Sequence, residues 1–252
     1  MKLYEIVFSP TGGTQRAADL LCRSWPWQRQ TVDLADPAAA FSELVPSPGD
    51  VCLVAVPSFG GRVPAPAAAR LRQIKGGGAR AVLLCAYGNR AFDDTLRELA
   101  DVLTAAGFRC VAAVAAVAQH SIAHQFAAGR PDEQDARQLA AFGAQIKTAL
   151  EQGTEGPVTV PGHVPYRVWN GGPVPQGDAH CTACGLCARR CPVGAIDPAQ
   201  PRRTDKTLCI SCMRCVTLCP QHARDLNSVL LFALDKKLKK ECSVRKENEL
   251  FL

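Results

Sequence analysis

The feature that most restricts this chain is a cysteine run that occurs twice. CTACGLCARRCP spans residues 181–192 and CISCMRCVTLCP spans 209–220. Each run sets four thiols at the same intervals, with a proline directly after the fourth. Three closely spaced thiolates can hold three corners of a cubic iron–sulfur group while the short residues between them turn backbone N–H groups toward sulfur. Structural zinc also uses Cys-x2-Cys pairs, but it needs two pairs, not two runs of four. A segment of about 50 residues offers too little apolar surface to fold without such a group.

Thirteen cysteines need a redox setting. MKLYEIVF reads as a strand entering a loop and not as a leader. The longest apolar run, Val111–Ala118, is well short of the roughly 20 residues that cross a bilayer. A cytoplasmic, reducing location is therefore expected, where clustered thiols serve metals more often than disulfides. Cys22, Cys52, Cys85, Cys110 and Cys242 lie outside the runs; Cys52, Cys85 and Cys110 sit in apolar stretches and read as small packing residues.

The formal charge of +6 falls entirely after residue 160, where 14 Lys and Arg face 8 Asp and Glu. Two oxidised clusters with their thiolates would contribute about −4 there. The apparent basic patch then largely disappears, and no nucleic-acid partner is expected.

The first 155 residues alternate short apolar runs (2–8, 29–34, 50–56, 79–86, 108–118) with helical stretches. This pattern predicts an α/β fold with a five-stranded, doubly wound parallel sheet. Asp36-Pro37 reads as the start of a helix over AAAFSEL, Asp93 as the cap of DTLRELADVLTAAG with Gly107 as its stop, and Asp132 as the cap of a helix ending near Gly153. GGG at 76–78 reads as a plain turn into the fourth strand.

Ligands on such sheets bind beyond the carboxyl ends of the strands. After the first strand comes SPTGGTQ, Ser9–Gln15, whose hydroxyls, glycine amides and following helix terminus can cradle a phosphate; a polar capping turn is the simpler alternative. It is neither the GxGxxG dinucleotide fingerprint nor a Walker loop. PSFGGRVP (57–64) and AYGNRAFDD (86–94) follow the third and fourth strands. Each sets an aromatic, Phe59 or Tyr87, beside glycines, as needed to cover a planar ring, although either alone could be a turn with a packed aromatic.

Together these loops resemble the flavodoxins, over residues 1 to about 152. SPTGGT is similar to their Ser/Thr-x-Thr-Gly-x-Thr phosphate loop. The resemblance implies FMN, its phosphate held by Ser9, Thr11, Gly12, Gly13, Thr14 and Gln15. Ser58, Phe59, Gly60 and Gly61 would flank one side of the flavin, and Tyr87, Gly88, Asn89 and Arg90 the other. Phe59 stands where a Trp is frequent, and Arg62 and Arg90 near the ring would favour an anionic reduced flavin. The two cysteine runs resemble the bacterial two-cluster ferredoxins, in which the fourth cysteine of each run serves the other cluster. That implies two 4Fe–4S clusters, one on Cys181, Cys184, Cys187 and Cys219, the other on Cys209, Cys212, Cys215 and Cys191.

The expected organisation is a flavodoxin-like FMN domain over 1–152, a Gly/Pro-rich linker over 153–178 anchored by Tyr166 and Trp169, a small α+β ferredoxin-type domain over 179–225, and a helix with a basic tail over 226–252. His120 and His124 follow the fifth strand and could reach the flavin edge or face the second domain. Lys236, Lys237, Lys239 and Lys240 could dock an acidic redox partner. The chain as a whole resembles fusions of these two domain types in anaerobes. The leading expectation is an electron carrier between protein redox partners. The alternatives are a flavin-dependent oxidoreductase that reduces a small molecule with electrons fed through the clusters, and a redox-sensing module. No catalytic acid–base dyad stands out.

Overall fold

Continuous apolar runs become the buried strands. The computed structural model describes residues 1–252. Its sheet is centred on β1 (Lys2–Val7), β3 (Val51–Pro57), β4 (Arg80–Tyr87) and β5 (Arg109–Val117), with β2 (Gln28–Asp33) as an edge strand whose side chains are mostly exposed. All five run parallel in the order β2-β1-β3-β4-β5. This is the flavodoxin-like doubly wound order, with its switch point between β1 and β3. Helices α1 (Gly13–Cys22) and α4 (Glu133–Gln152) cover one face, and α2 (Ala65–Leu71) and α3 (Thr95–Ala105) cover the other. Cys22, Cys52 and Cys85 are fully buried among these apolar side chains.

The helix ends follow local chemistry. Asp132 and Asp135 cap α4 reciprocally, each carboxylate accepting the other's backbone N–H at 2.9–3.0 Å, and Gly153 closes it at φ 64°. Two expected helix starts differ from the structure. Asp93 adopts φ 42° and Asp94 occupies the position before α3, yet Asp94 caps nothing on the helix. Its carboxylate instead accepts the backbone N–H groups of His163 and Arg167 at 2.9 and 2.7 Å, fastening the following linker. The helix expected over AAAFSEL is reduced to one 3-10 turn, Phe41–Glu43. Asp36 spends its carboxylate on the nearby Ala38 N–H, and Pro46 and Pro48 bar a continuation.

The C-terminal segment also departs from a free basic tail. After α7 (Ser228–Cys242), the chain returns to the sheet, and β8 (Glu249–Phe251) pairs antiparallel with β5 as a sixth strand. Asn248 fixes this return. Its buried amide accepts from Val117 N at 2.7 Å and donates to Asp135 Oδ1 and Gln138 Oε1 at 3.0 and 2.8 Å. Asn248→Ala would leave Val117 N–H and a buried carboxylate short of partners. We expect a loss of about 2–3 kcal/mol in denaturant unfolding of the sheet.

Between α4 and the first cysteine run, the chain lies along the outside of α3. Tyr166 donates to Asp101 at 2.5 Å, and Arg62 donates to Arg167 O at 2.8 Å while resting over the Tyr166 ring. Beyond it, β6 (Gln176–Gly177) and β7 (Arg224–Asp225) form a small antiparallel pair that brackets both cysteine runs. Each run ends in a one-turn helix, α5 (Leu186–Arg189) or α6 (Arg214–Thr217). Two bonds tie this unit to the first domain: Arg70 of α2 donates to Pro192 O at 2.6 Å, and Arg214 pairs with Asp33 of β2 at 3.4 Å.

Candidate redox site: two cysteine cavities beside an open cleft

The two cysteine runs exchange their fourth members in space. Cys181, Cys184, Cys187 and Cys219 line one cavity; Cys191, Cys209, Cys212 and Cys215 line a second. Each space measures about 330 Å³, part of it open to solvent. The cavities are related by the repeat down to single hydrogen bonds. Ala195 N–H donates to Cys191 Sγ, and Ala223 N–H, four residues after its own cysteine, donates to Cys219 Sγ, both at 3.3 Å. Ser211 N–H faces Cys209 Sγ at 3.4 Å. Left-handed residues at Ala183, Gly185, Ser211 and Met213 turn the backbone in toward the thiols.

These donors fit a multi-atom group better than a single ion. No three Cys, His, Asp or Glu side chains converge tightly enough to share one metal ion; the thiols ring a space instead. Burial pushes the Cys212 thiol up to about 12 and raises Cys209 and Cys215. Thiolates there need a cationic centre, which iron supplies. The buried Arg224, between the cavities, has no carboxylate in ion-pair range and leaves Nε unpartnered. An uncompensated buried cation is costly, and an anionic cluster on either side would offset it.

The third space is an open cleft of about 460 Å³ at the carboxyl ends of β1, β3, β4 and β5. Thr11, Gly13 and Thr14 line it from the first loop, Ser58, Phe59, Gly60 and Gly61 from the second, and Tyr87, Gly88 and Arg90 from the third. The remaining predicted positions support these loops without lining the cleft. Ser9 Oγ accepts Gln15 N–H at 3.0 Å, closing the phosphate-type loop on itself, and Gly12 makes the turn at φ 92°. The Gln15 amide is directed to the buried Glu5, at 2.8 Å. Ser58 shares a 2.8 Å hydrogen bond with Thr95 at the start of α3.

Two expected roles near the ring change. Asn89 is buried and turned away from the cleft, donating to Cys242 O and Val244 O at 2.8 and 2.9 Å and accepting Lys246 N–H at 3.1 Å. It holds the returning C-terminal segment. Arg62 makes a two-pronged pair with Glu98 at 2.7 and 2.8 Å, so its charge is cancelled and aimed away from a bound ring. Arg90 does line the cleft, paired with Asp93 and 3.7 Å from Glu241.

Several cleft residues come from segments remote in sequence. Trp169 packs against Phe59 with ring centroids 6.1 Å apart, and its ring occupies the space that a Cβ on Gly60 would need. An aromatic thus stands over the Phe59 loop, supplied by the linker and not by the loop itself. Leu234, Lys237, Leu238 and Glu241 of α7 form the outer wall, with Leu238 and Cys242 buried against Ala123 and Phe126. The i, i+4, i+8 spacing of Leu234, Leu238 and Cys242 is the signal that could have marked this face. Of the basic residues proposed for docking, only Lys237 borders the cleft; Lys236 lies over Phe232 at 4.4 Å. Ser211 and Cys212 line the cleft too, so one wall belongs to the second cysteine cavity.

His120 lines the cleft, while His124 is exposed and bonds only backbone carbonyl Ser121 O among its ring contacts. The N–H groups of Ile122 and Ala123 point at His120 Nδ1 at 3.2 and 3.0 Å, which places the ring proton on Nε2. Desolvation, reinforced by His124 and Arg90, lowers its pKa to about 4. The imidazole should therefore stay neutral at pH 5.5, with a protonated Nε2 in ¹⁵N spectra. Because the folded value lies below the usual one, the unfolded chain takes the proton first. This group's contribution to stability is lost as pH falls from about 6.5 to about 4.

Residues 170–224 match the 4Fe-4S dicluster domain family. No curated protein matches the sequence. Among solved structures, an archaeal flavodoxin aligns with 60% of this chain and 99% of its own, at 15% identity and TM-score 0.44. A flavodoxin of Streptococcus pneumoniae TIGR4 covers 58% of this chain and 98% of its own, at 18% identity and TM-score 0.41. An NAD(P)H:quinone oxidoreductase of Methanothermobacter marburgensis covers 60% and 96%, at 11% and 0.35. The flavodoxin-like order stands on the strand topology itself. The chain joins such a sheet to a 4Fe-4S dicluster domain. No helix is long and apolar enough to cross a membrane.

Proposed function

We propose that this protein is an iron–sulfur flavoprotein that carries electrons between FMN and two 4Fe–4S clusters, and on to protein redox partners in the cytoplasm. The observation that carries this reading is the shared wall: Ser211 and Cys212 border both the cleft and the second cysteine cavity. When bound, the clusters supply one-electron steps and the flavin one- or two-electron steps. We read 1–152 as the FMN domain, 153–178 as the linker, 179–225 as the cluster domain and 226–252 as the closing tail.

The chain's own residues position these groups. Cys181, Cys184, Cys187 and Cys219 would hold one cluster, and Cys191, Cys209, Cys212 and Cys215 the other. Thr11, Gly13 and Thr14 would meet the phosphate at the start of α1, with Ser9, Gly12 and Gln15 shaping that loop. Phe59, Gly60 and Trp169 would cover one side of the ring, and Tyr87, Gly88 and Arg90 the other. His120 offers a fixed, neutral Nε2–H donor. Cys184 is exposed whereas Cys212 is buried beside the cleft, so outside partners would meet the Cys184 side and the cleft the Cys212 side.

A second reading, reduction of a small molecule in the cleft, is favoured by the room left at its outer edge, where Lys237 and Glu241 stand opposite the strand loops. Anaerobic photoreduction followed by optical and EPR spectroscopy separates the readings. Exchange of electrons between flavin and clusters in the isolated chain, at a rate independent of protein concentration, is expected. Its absence sinks the carrier. Turnover of small quinones or nitro compounds at that flavin would favour the enzyme.

A further inference from the structure

His120 is a cleft residue whose hydrogen-bonding capacity the protein leaves half used. It follows β5 in a loop that closes on itself. His120 N–H donates to Phe126 O at 3.1 Å, and Gln119 N–H donates to Arg130 O at 3.0 Å. The ring is fixed as well. Ile122 and Ala123 donate their N–H groups to Nδ1 at 3.2 and 3.0 Å, so the ring proton sits on Nε2. Cδ2, the ring carbon bonded to Nε2, rests on Gly88, where an added Cβ would come within 2.6 Å of it. Nε2–H itself has no acceptor in the protein, and the residue lines the cleft.

A neutral N–H donor at this place selects what it meets. Gly88 belongs to the loop that, with Tyr87 and Arg90, would cover one side of the flavin. A flavin ring has two unlike edges: one carries methyl groups, the other carbonyl oxygens and ring nitrogens. Only the second can accept from Nε2–H. Full reduction takes two electrons from the clusters or another one-electron donor and one proton from solvent. One N–H bond forms, and the polar edge gains a negative charge. The guanidiniums that border the cleft are engaged elsewhere, Arg90 by Asp93 with Glu241 at 3.7 Å, and Arg167 by Asp93 at 2.7 Å. Arg62 is taken by Glu98. Desolvation, with His124 and Arg90 adding to it, keeps the imidazole neutral, so it offers a hydrogen bond and not a proton.

We infer that His120 donates Nε2–H to the carbonyl- and nitrogen-bearing edge of the flavin and so makes the flavin easier to reduce. This deepens the FMN reading above and rests on it. The bond strengthens as its acceptor becomes charged, because hydrogen bonds to ions are stronger than those between neutral groups. It also sets which way round the ring lies, with its polar edge toward the loop after β5.

The test uses the full chain with its clusters intact, its flavin replaced by FMN labelled with ¹³C and ¹⁵N along the polar edge. His120→Phe keeps a flat ring over Gly88 but has no donor. Relative to the native chain it should shift the labelled edge resonances, and a shift there supports the inference. A change at the phosphate ³¹P resonance without one at that edge would put the bond on the phosphate and overturn it. No change at either would overturn it too. In the same variant the two-electron reduction equilibrium constant of the flavin should fall at least about tenfold, equivalent to about 30 mV. His120→Gln, which regains an N–H donor, should recover most of the native value. Equal flavin potentials in the native chain and His120→Phe would refute the role. Should His120→Phe fail to fold, His120→Leu against His120→Gln makes the same comparison: a lower potential in the leucine variant supports the donor, and equal potentials overturn it. A native chain that takes up no FMN would instead overturn the flavin reading beneath.

Discussion

Cys191→Ala is expected to remove the EPR signal that Cys209→Ala removes, and to leave the signal lost in Cys181→Ala. Iron content should fall by about half, since each group of four thiols holds one four-iron cluster. In sequence Cys191 belongs to the first run, four residues after Cys187. In space it faces Cys209, Cys212 and Cys215, with Ala195 N–H at 3.3 Å from its sulfur. Cys219 should behave in mirror fashion, silencing the signal shared with Cys181. Loss of one common signal by Cys191→Ala and Cys181→Ala would refute the crossed arrangement. If a cavity opened by the methyl side chain melts the domain, Cys191→Ser preserves volume and keeps the comparison available.

The second large effect concerns the sheet domain alone. Gly143 lies in α4 where it crosses α1, and a Cβ there would overlap the Leu21 carbonyl oxygen, a backbone atom. The Gly143 carbonyl also accepts Trp25 Nε1–H at 2.9 Å. Neither helix can yield by rotating a side chain, so Gly143→Ala must push α4 off α1 and loosen the layer containing Leu21, Leu139 and Ile146. We expect about 3–5 kcal/mol of destabilisation in denaturant unfolding. Gly156→Ala, with nothing within 4 Å of its Cβ, serves as the control and should be near neutral. A Gly143→Ala protein as stable as the native one would show that the helices separate freely.

The parallel strands were legible because burial on both faces leaves continuous apolar runs such as VCLVAV and AVLLCA. The cysteine runs were legible because spacing is itself chemistry. What escaped depends on contacts between distant segments. ELF carries no strand signal of its own; Asn248 makes it one by reaching Val117 and Asp135. Trp169 read as an anchor for the linker, and it is one, but only folding brings it over Gly60 at the cleft. Asn89 looked like a ring-facing polar residue because its loop is; its φ of 65° turns the amide to the C-terminal segment instead. Arg62 had a charge visible in sequence and a partner, Glu98, that was not. The AAAFSEL helix failed for a local reason, its starting aspartate being satisfied within two residues.

The return of the chain to β5 has a mechanical consequence. The cysteine-bearing unit is fastened on both flanks, through the stretch that Asp94 grips on one side and through α7 and β8 on the other. A module hung from a single flexible leash would sweep a volume and meet the cleft only part of the time. Held at two points, it behaves as a bolted part with little room to swing. Its encounter with the cleft is a standing condition of the fold, not an event that must be awaited.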